Sequence, residues 1–187
     1  QCILNGNDLY RVLQFTSSAT TNSLIVRGFK IWKGNATNNS NVGRWGGGIS
    51  IRDGADPIIE RCWITENRAN RTMPTPASYG TLGGGIFIQD SEPVIRYNRI
   101  DNNYATYENN PGYGGGICIS NSSINGEDPI IIGNYFANNV ATYVVGSGFT
   151  SNGPSFGGGL SVSMSSPLIE NNVFNNNWGF RRYISSG

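Results

Sequence analysis

Histidine is absent from this 187-residue chain, and lysine occurs only at Lys30 and Lys33. The sequence therefore has no imidazole and few amines for general acid–base catalysis. Charged residues make up 13% of the chain, against roughly 25% in an average soluble protein. The formal net charge is +1, so no overall field attracts nucleic acid or an anionic membrane. We therefore expect no nucleic-acid partner.

Long apolar runs are also missing. No run approaches the roughly 20 residues that a membrane-spanning helix needs, so we expect no membrane insertion by this segment. The start of the chain lacks the basic and apolar stretches of a secretory signal, and Gln1 opens directly onto apolar residues as though cut from a longer polypeptide. The three cysteines, Cys2, Cys62 and Cys118, predict neither a disulfide framework nor a CxxC metal site. We interpret them as buried or neutral thiols.

A repeat of about 36 residues organises the chain, which is rich in asparagine and has 26 glycines. Each copy contains a glycine triplet, alternating apolar residues, a turn, a proline and a segment with two recurring asparagines. Successive prolines are 36, 36 and 38 residues apart, and a degenerate copy at 11–36 precedes the four clear ones. The triplet and the proline of these four begin at Gly46 and Pro57, Gly83 and Pro93, Gly114 and Pro129, and Gly157 and Pro167.

The residues after each triplet alternate as a β-strand does. Ile49 and Ile51 are apolar while Ser50 and Arg52 are polar, and later copies repeat this pattern. No segment keeps the i, i+3, i+4, i+7 stripe of a helix. We therefore predict an all-β fold, a right-handed parallel β-helix (solenoid) of about five coils. Right-handedness is expected because about 98% of parallel crossovers have that hand.

We expect a single β-helix domain over 1–187, a fragment of a longer chain, with coil repeats near 11–45, 46–82, 83–113, 114–156 and 157–187. Between the copies lie variable segments rich in Gly, Pro, Ser and Asn, at 37–45, 70–82, 106–113 and 142–156. We interpret these segments as loops that project from one edge of the solenoid.

Asparagine recurs at two fixed positions of the repeat. Its amide can hydrogen bond to the same residue one coil above and below, and it tolerates left-handed turns. We therefore predict two asparagine ladders at the coil corners, while the glycine triplets predict tight bends with positive φ. The ladder positions are Asn98, Asn134 and Asn172, with Cys62 in the earlier copy, and Asn67, Asn103, Asn139 and Asn177.

The phrase GGGI-x-I…P-x-I-x-x-N-x-[IF]-x-x-N-x-A resembles right-handed parallel β-helix repeats of secreted bacterial proteins over roughly residues 11–180. It is especially similar to the GGAI and FxxN repeats of the polymorphic outer membrane proteins, which are autotransporter-type surface adhesins. It is also similar to repeats in large exported β-helix proteins of Bacteroidetes-like bacteria. The resemblance implies the fold and an extracellular or cell-surface location. It does not fix the function, because the scaffold hosts adhesins, lyases, hydrolases and fibres alike.

A column of carboxylates is the sharpest polar feature. The residue before the proline is Asp56, Glu92 or Asp128 in three copies, and Asp53 aligns with Asp90. Like charges about one strand spacing apart are unfavourable without compensation. One hypothesis is that Ca²⁺ or neighbouring arginines neutralise this edge. The alternative is a solvated turn that suits Asp and Glu. Apart from calcium, we expect no cofactor.

Aromatic residues cluster beside the glycine triplets. Trp45, Tyr113 and Phe156 each immediately precede a triplet, and Tyr79 lies nearby in its loop. A stack of rings would form a platform for a sugar, so these four are candidate ligand-binding residues. In the alternative interpretation, each ring covers the bare backbone of the glycines and holds its loop in place.

An enzymatic function has weaker support, and we assign no catalytic residues. Inverting glycosidases need paired carboxylates about 6.5–9.5 Å apart, and lyases need a base beside a calcium site. Asp53, Asp56 and Asp90, with Arg52, form the only cluster that such chemistry could recruit. These acids recur with the repeat, as scaffold residues do, whereas an active site should break the period.

We interpret the chain as a non-catalytic extracellular or cell-surface scaffold, adhesin-like, that binds a glycan or a surface through its loops. The expected partners are a glycan or another cell-surface ligand, and further coils of the same chain or copies of itself. One alternative is a carbohydrate-active β-helix enzyme, a polysaccharide lyase or glycosidase. Another is a subunit of an extracellular fibre that stacks end to end.

Overall fold

The computed structural model describes residues 2–36, 45–69, 80–107, 111–122, 128–145 and 155–183. Within these ranges the regular elements are β-strands, which pair in parallel. The same ranges contain no helix with the length and hydrophobicity that a bilayer crossing requires. In chain order the strands are β1 (Ile3–Asn5), β2 (Leu13–Phe15), β3 (Ile25–Arg27), β4 (Lys30–Trp32), β5 (Ile49–Arg52), β6 (Ile58–Glu60), β7 (Trp63–Thr65), β8 (Thr81–Leu82), β9 (Ile86–Gln89), β10 (Val94–Arg96), β11 (Arg99–Asp101), β12 (Tyr104–Tyr107), β13 (Gly112–Tyr113), β14 (Ile117–Ser120), β15 (Ile130–Ile132), β16 (Tyr135–Ala137), β17 (Val140–Val145), β18 (Leu160–Ser163), β19 (Leu168–Glu170), β20 (Val173–Asn175) and β21 (Trp178–Tyr183).

Three long sheets form the sides of the solenoid, and each takes one strand from every turn of the chain. The first sheet has the order β1-β4-β7-β11-β16-β20, the second β3-β6-β10-β15-β19 and the third β2-β5-β9-β14-β18. Five stacked strands in the second and third sheets span four full turns, close to the five coils expected. The predicted all-β parallel solenoid is confirmed.

The core consists of apolar columns that run from coil to coil. In the first sheet Ile64 pairs with Ile100, which pairs with Phe136, and all three side chains are inaccessible to solvent. Phe136 then stacks on Phe174, with ring centroids 4.6 Å apart and an interplanar angle of 7°. Burial of each such side chain contributes about 1.5–3 kcal/mol, so the columns are the main source of stability.

Glycines at the start of each repeat serve two different purposes. Gly114, the first of its triplet, has a φ of +63°, as predicted. Gly115 does not have a positive φ, so the expectation is wrong for this second glycine. A Cβ on Gly115 would lie 2.5 Å from the carbonyl oxygen of Gly158 in the next coil. Close approach of two backbones therefore requires glycine at this position.

Both predicted asparagine ladders are present. The Nδ2 of Asn103 donates hydrogen bonds to Oδ1 of Asn139, at 3.0 Å, and to the carbonyl oxygen of Ile64, at 2.9 Å. Its Oδ1 accepts from the backbone N–H and from Nδ2 of Asn67, at 3.1 and 2.9 Å. These bonds satisfy an amide that has no contact with water. The second ladder repeats the pattern through Asn98, Asn134 and Asn172.

Cys62 takes the place of asparagine in the second ladder and keeps part of its bonding. Its backbone N–H donates to Oδ1 of Asn98 at 2.9 Å, and its Sγ lies 3.6 Å from the carbonyl oxygen of Val26. Burial raises the pKa of the Cys62 thiol, and burial raises the pKa of Cys118 to about 12. These two thiols are thus neutral and buried, as expected, whereas Cys2 is exposed.

The bounds expected for the loops were too wide. Strands β12, β17 and β21 form a three-stranded sheet, and β8 pairs with β13, so 81–82, 106–107, 112–113 and 142–145 continue the coils as strands. Thr106 pairs with Thr142 and Tyr104 with Val140, and these residue types favour strands. Residues 45, 80, 111 and 155–156 of the expected loops are described and lie outside the named strands. The remaining parts, at 37–44, 70–79, 108–110 and 146–154, lie outside the described residues.

Glu60 lies on the second sheet between arginines of the two neighbouring coils. It pairs in register with Arg27 and Arg96, and the Nε of each donates a hydrogen bond to its carboxylate, at 2.6 Å for Arg96. The Glu60 side chain is only 4% exposed. The hydrogen bond from Arg96 foremost, and then that from Arg27, lower the pKa of Glu60 against the opposing effect of burial.

Asn103→Ala should destabilise the protein by about 2–4 kcal/mol, because it removes the acceptor of two N–H donors of Asn67 and the donor to the carbonyl oxygen of Ile64. The loss appears as a lower midpoint of urea unfolding. Asn175→Ala is the control: Asn175 is exposed, and within the described residues its side chain bonds only the Tyr135 hydroxyl, so we expect a change within about 0.5 kcal/mol. Equal losses in the two variants would contradict the role of the ladder.

Acidification should remove the contribution of Glu60. Because the folded-state pKa is lowered, the ion pairs stabilise the fold above the unfolded-state pKa of about 4.3 and cease to do so as the pH falls through the folded-state pKa. Glu60→Gln should therefore make the thermal midpoint fall less steeply on acidification than in the wild type. Glu170→Gln is the control, because Glu170 occupies the same column and is exposed. An equally shallow fall in the control would refute the assignment to Glu60.

Candidate ligand-binding groove

A groove runs along the outer face of the second sheet and receives residues from five successive coils. Its volume is about 650 Å³, within the range of roughly 300–1,000 Å³ for small-molecule sites. With strands about 4.8 Å apart, five coils give it a length of roughly 19 Å. The lining residues are Thr21, Asn22, Asp56, Glu92, Val94, Asp128, Ile130 and Leu168.

One side of the groove is an apolar strip. Val94 pairs with Ile130, which pairs with Leu168, and these side chains point outward because the next residue of each strand belongs to the inward-facing column. Val94 and Ile130 are half-buried and Leu168 is 45% exposed. The sequence analysis missed this strip, although the residue after the repeat proline is apolar in all four clear copies.

The other side carries the predicted carboxylates Asp56, Glu92 and Asp128. Each lies two residues before a strand of the second sheet, so the register of the sheet brings the three to one edge. Asp56 Oδ1 accepts a hydrogen bond from the backbone N–H of Glu92 at 2.6 Å, which joins two coils. The groove therefore presents a row of hydrogen-bond acceptors at the interval of the coils.

This arrangement fits a ligand with hydroxyl groups on one side and C–H groups on the other. Carboxylates accept hydrogen bonds from hydroxyls, and an apolar strip packs against the C–H face of a sugar ring. The groove can therefore hold a carbohydrate without further groups.

Asp53 and Asp90 do not line the groove. Both are left-handed, with φ of 60° and 50°, at the corners that end β5 and β9, and Asp90 Oδ1 accepts a hydrogen bond from Nδ2 of Asn121. Aspartate and asparagine suit this conformation, which explains why they recur there. Among the described residues, no three His, Cys, Asp or Glu side chains come together so as to hold a metal ion. Calcium binding stays a prediction for Asp53, Asp56, Asp90, Glu92 and Asp128.

Among the described residues, the predicted aromatic side chains form separate contacts and not one continuous stack. Tyr113 and Phe156 stack with ring centroids 5.6 Å apart, whereas Trp45 packs against Phe87 at 5.1 Å. A Cβ on Gly80 would lie 2.4 Å from the Tyr113 ring, so this ring covers the backbone of a glycine outside the triplets. Tyr79 lies outside the described residues. A ligand-binding role for these four aromatic residues stays a prediction.

A stack of cations and rings on the first sheet was not predicted. Trp63 lies between Lys30 and Arg99 of the neighbouring coils, 4.3 and 5.0 Å from its ring, and its Nε1 donates a hydrogen bond to Asp101 at 2.8 Å. Because cations cover the ring, Trp63 stabilises the sheet instead of offering a free face to a sugar. The three residues share one position of the repeat, so an alignment of the copies would have placed them together.

Comparison with known proteins adds one finding to this geometry. A family model described as a right-handed β-helix region matches residues 2–153. No curated protein and no solved structure matches the chain. The family match spans most of the sequence and agrees with the parallel coils, the apolar columns and the asparagine ladders. The chain therefore belongs to the right-handed β-helix family.

Proposed function

We propose that this protein is a non-catalytic scaffold of the cell surface or extracellular space that binds a glycan in the groove of the second sheet. The observation that carries the proposal is the groove itself, which sets three carboxylates beside an apolar strip in a volume of about 650 Å³.

The ligand that fits best is a linear glycan. The groove carries one carboxylate on each of three successive coils and one apolar side chain on each of three, along a total length of roughly 19 Å. A polysaccharide repeats its hydroxyls and its C–H faces along its length in the same way, so that several weak contacts add up on one ligand. A compact ligand would use only part of this row.

The placement outside the cell and the adhesin-like role are supported by the resemblance of the GGGI and FxxN motifs to repeats of surface adhesins. The proposed binding surface, however, is the groove, whereas the sequence led us to expect binding through the loops. The Trp63 ring is covered by cations and the Tyr113 ring lies on glycine backbone, which favours the groove over the aromatic residues as the place for a sugar.

A carbohydrate-active enzyme is the second candidate, favoured by the closeness of the acids. Asp56 and Glu92 lie on adjacent coils about 4.8 Å apart, and retaining glycosidases hold their two carboxyl groups about 5–5.5 Å apart. The acids of the groove nevertheless recur with the repeat, and Asp128 occupies the same position one coil further. Such recurrence is typical of scaffold residues, whereas an active site should break the period, so binding is favoured over cleavage.

Asp128→Asn should weaken glycan binding by about three- to tenfold, because the amide replaces a charged acceptor for sugar hydroxyls. A glycan array of the wild type identifies the ligand, and calorimetric titration then measures Kd for each protein. Asp53→Asn is the matched control: it makes the same chemical change outside the groove, at a left-handed corner that asparagine tolerates, and it should leave Kd unchanged.

A parallel assay for new reducing ends or unsaturated products separates binding from cleavage. Binding without product agrees with the scaffold. Product that disappears in Glu92→Gln would establish the enzymatic alternative instead. Absence of binding to any glycan, or an equal loss of affinity in Asp53→Asn, would rule out the groove as the binding site.

A further inference from the structure

A second cavity lies at the corner where strands of the first sheet end, and it shares no residue with the groove. Its volume is about 460 Å³, again within the range of small-molecule sites. Three successive coils and the segment after β1 contribute to it. The lining residues are Asp8, Lys33, Glu66, Arg68, Asn102 and Tyr104.

The register of the coils assembles the cavity from two rows. Lys33, Glu66 and Asn102 directly follow β4, β7 and β11, which pair in register, so they form one row. Arg68 pairs with Tyr104 in an isolated bridge and forms the second row. Asp8 closes the cavity from the first coil, where its backbone N–H donates to the carbonyl oxygen of Lys33 at 2.8 Å.

The first row departs from the repeat at the cavity. The corresponding residue is asparagine in the last three coils, at Asn102, Asn138 and Asn176, but Lys33 and Glu66 occupy this position in the earlier two. All five have φ between 50° and 55°, a conformation that favours asparagine over long side chains. Other left-handed corners also carry long side chains, as at Arg61 and Tyr97. The departure at the cavity is therefore one of charge: Lys33 and Glu66 place a cation and an acid where the later coils have a neutral amide.

Charges in the cavity are incompletely satisfied. Asp8 forms ion pairs with Lys33 Nζ and Arg68 Nη2, but at 3.9 and 3.7 Å they exceed the usual hydrogen-bond distance of about 2.7–3.2 Å. The Nε of Arg68 is buried and has no hydrogen-bond partner. The exposed carboxylate of Glu66 forms no hydrogen bond or ion pair within the described part of the chain.

We propose that this cavity binds a small zwitterion, a free α-amino acid. Its carboxylate would bind Arg68 and Lys33, and its ammonium group would bind Glu66. Two cations and two acids line the cavity, so a simple anion or a simple cation would meet repulsion from one pair. In a zwitterionic ligand, the carboxylate and Asp8 together balance the two cations, and the ammonium group balances Glu66. The inference does not rest on the glycan-binding groove.

Titrations of the wild-type protein with three matched probes, followed by NMR, test the proposal. L-Alanine carries both charges, propanoate only the carboxylate and ethylammonium only the ammonium group. At constant ionic strength, alanine should give saturable shifts at Glu66, Arg68 and Tyr104 and bind at least about tenfold more tightly than either fragment, because two charge-assisted contacts form together.

Charge-neutral variants locate the site. Glu66→Gln and Arg68→Gln should each weaken alanine binding by about tenfold or more. Glu170→Gln and Arg61→Gln are the matched controls, since both residues are exposed and lie outside the cavity, and these variants should bind as the wild type does. If Arg68→Gln fails to fold, Glu66→Gln and the comparison of the three probes on the wild type still test the proposal. Equal binding of alanine and propanoate, shifts that do not saturate, or equal loss in the controls would overturn the proposal.

Discussion

Alignment of successive coils at the spacing of a β-sheet is the constraint on which the rest of this structure depends. The residue type at a position depends chiefly on its contacts with the equivalent position of the adjacent coil. A buried asparagine such as Asn103 is satisfied because Asn67 and Asn139 lie directly below and above it. Gly115 is required because the backbone of the next coil approaches it. The ladder position also accepts a cysteine at Cys62, because its thiol lies near the carbonyl oxygen to which an asparagine would donate a hydrogen bond.

The same constraint explains why the fold could be predicted from the sequence. Columns such as Ile64, Ile100 and Phe136 repeat at a fixed interval, and strand alternation indicates which side of each strand faces inward. The variable segments carry no such repetition. Pairing of Thr106 with Thr142 depends on the backbone continuing in register beyond the repeated motif, so the sequence analysis assigned these residues to loops.

The candidate site was predictable only where it follows the repeat. Asp56, Glu92 and Asp128 occupy one position of the motif, and register alone brings them to one edge. Asp53 and Asp90 align equally well in sequence, yet they belong to a left-handed corner outside the groove. Alignment of the repeats shows which coil a residue belongs to and which residues stack. It does not show which way the side chain points from the solenoid axis, because that depends on the local φ and ψ.

Periodic and aperiodic positions can therefore support different kinds of binding. A groove built from repeated residues offers equivalent contacts on several successive coils, so it suits an extended ligand. A discrete small ligand needs residues that occur once. Lys33 and Glu66 meet this requirement, because they replace the asparagine that the corner conformation favours. In a solenoid, the residues that the repeat does not explain are thus the ones that can recognise a single molecule.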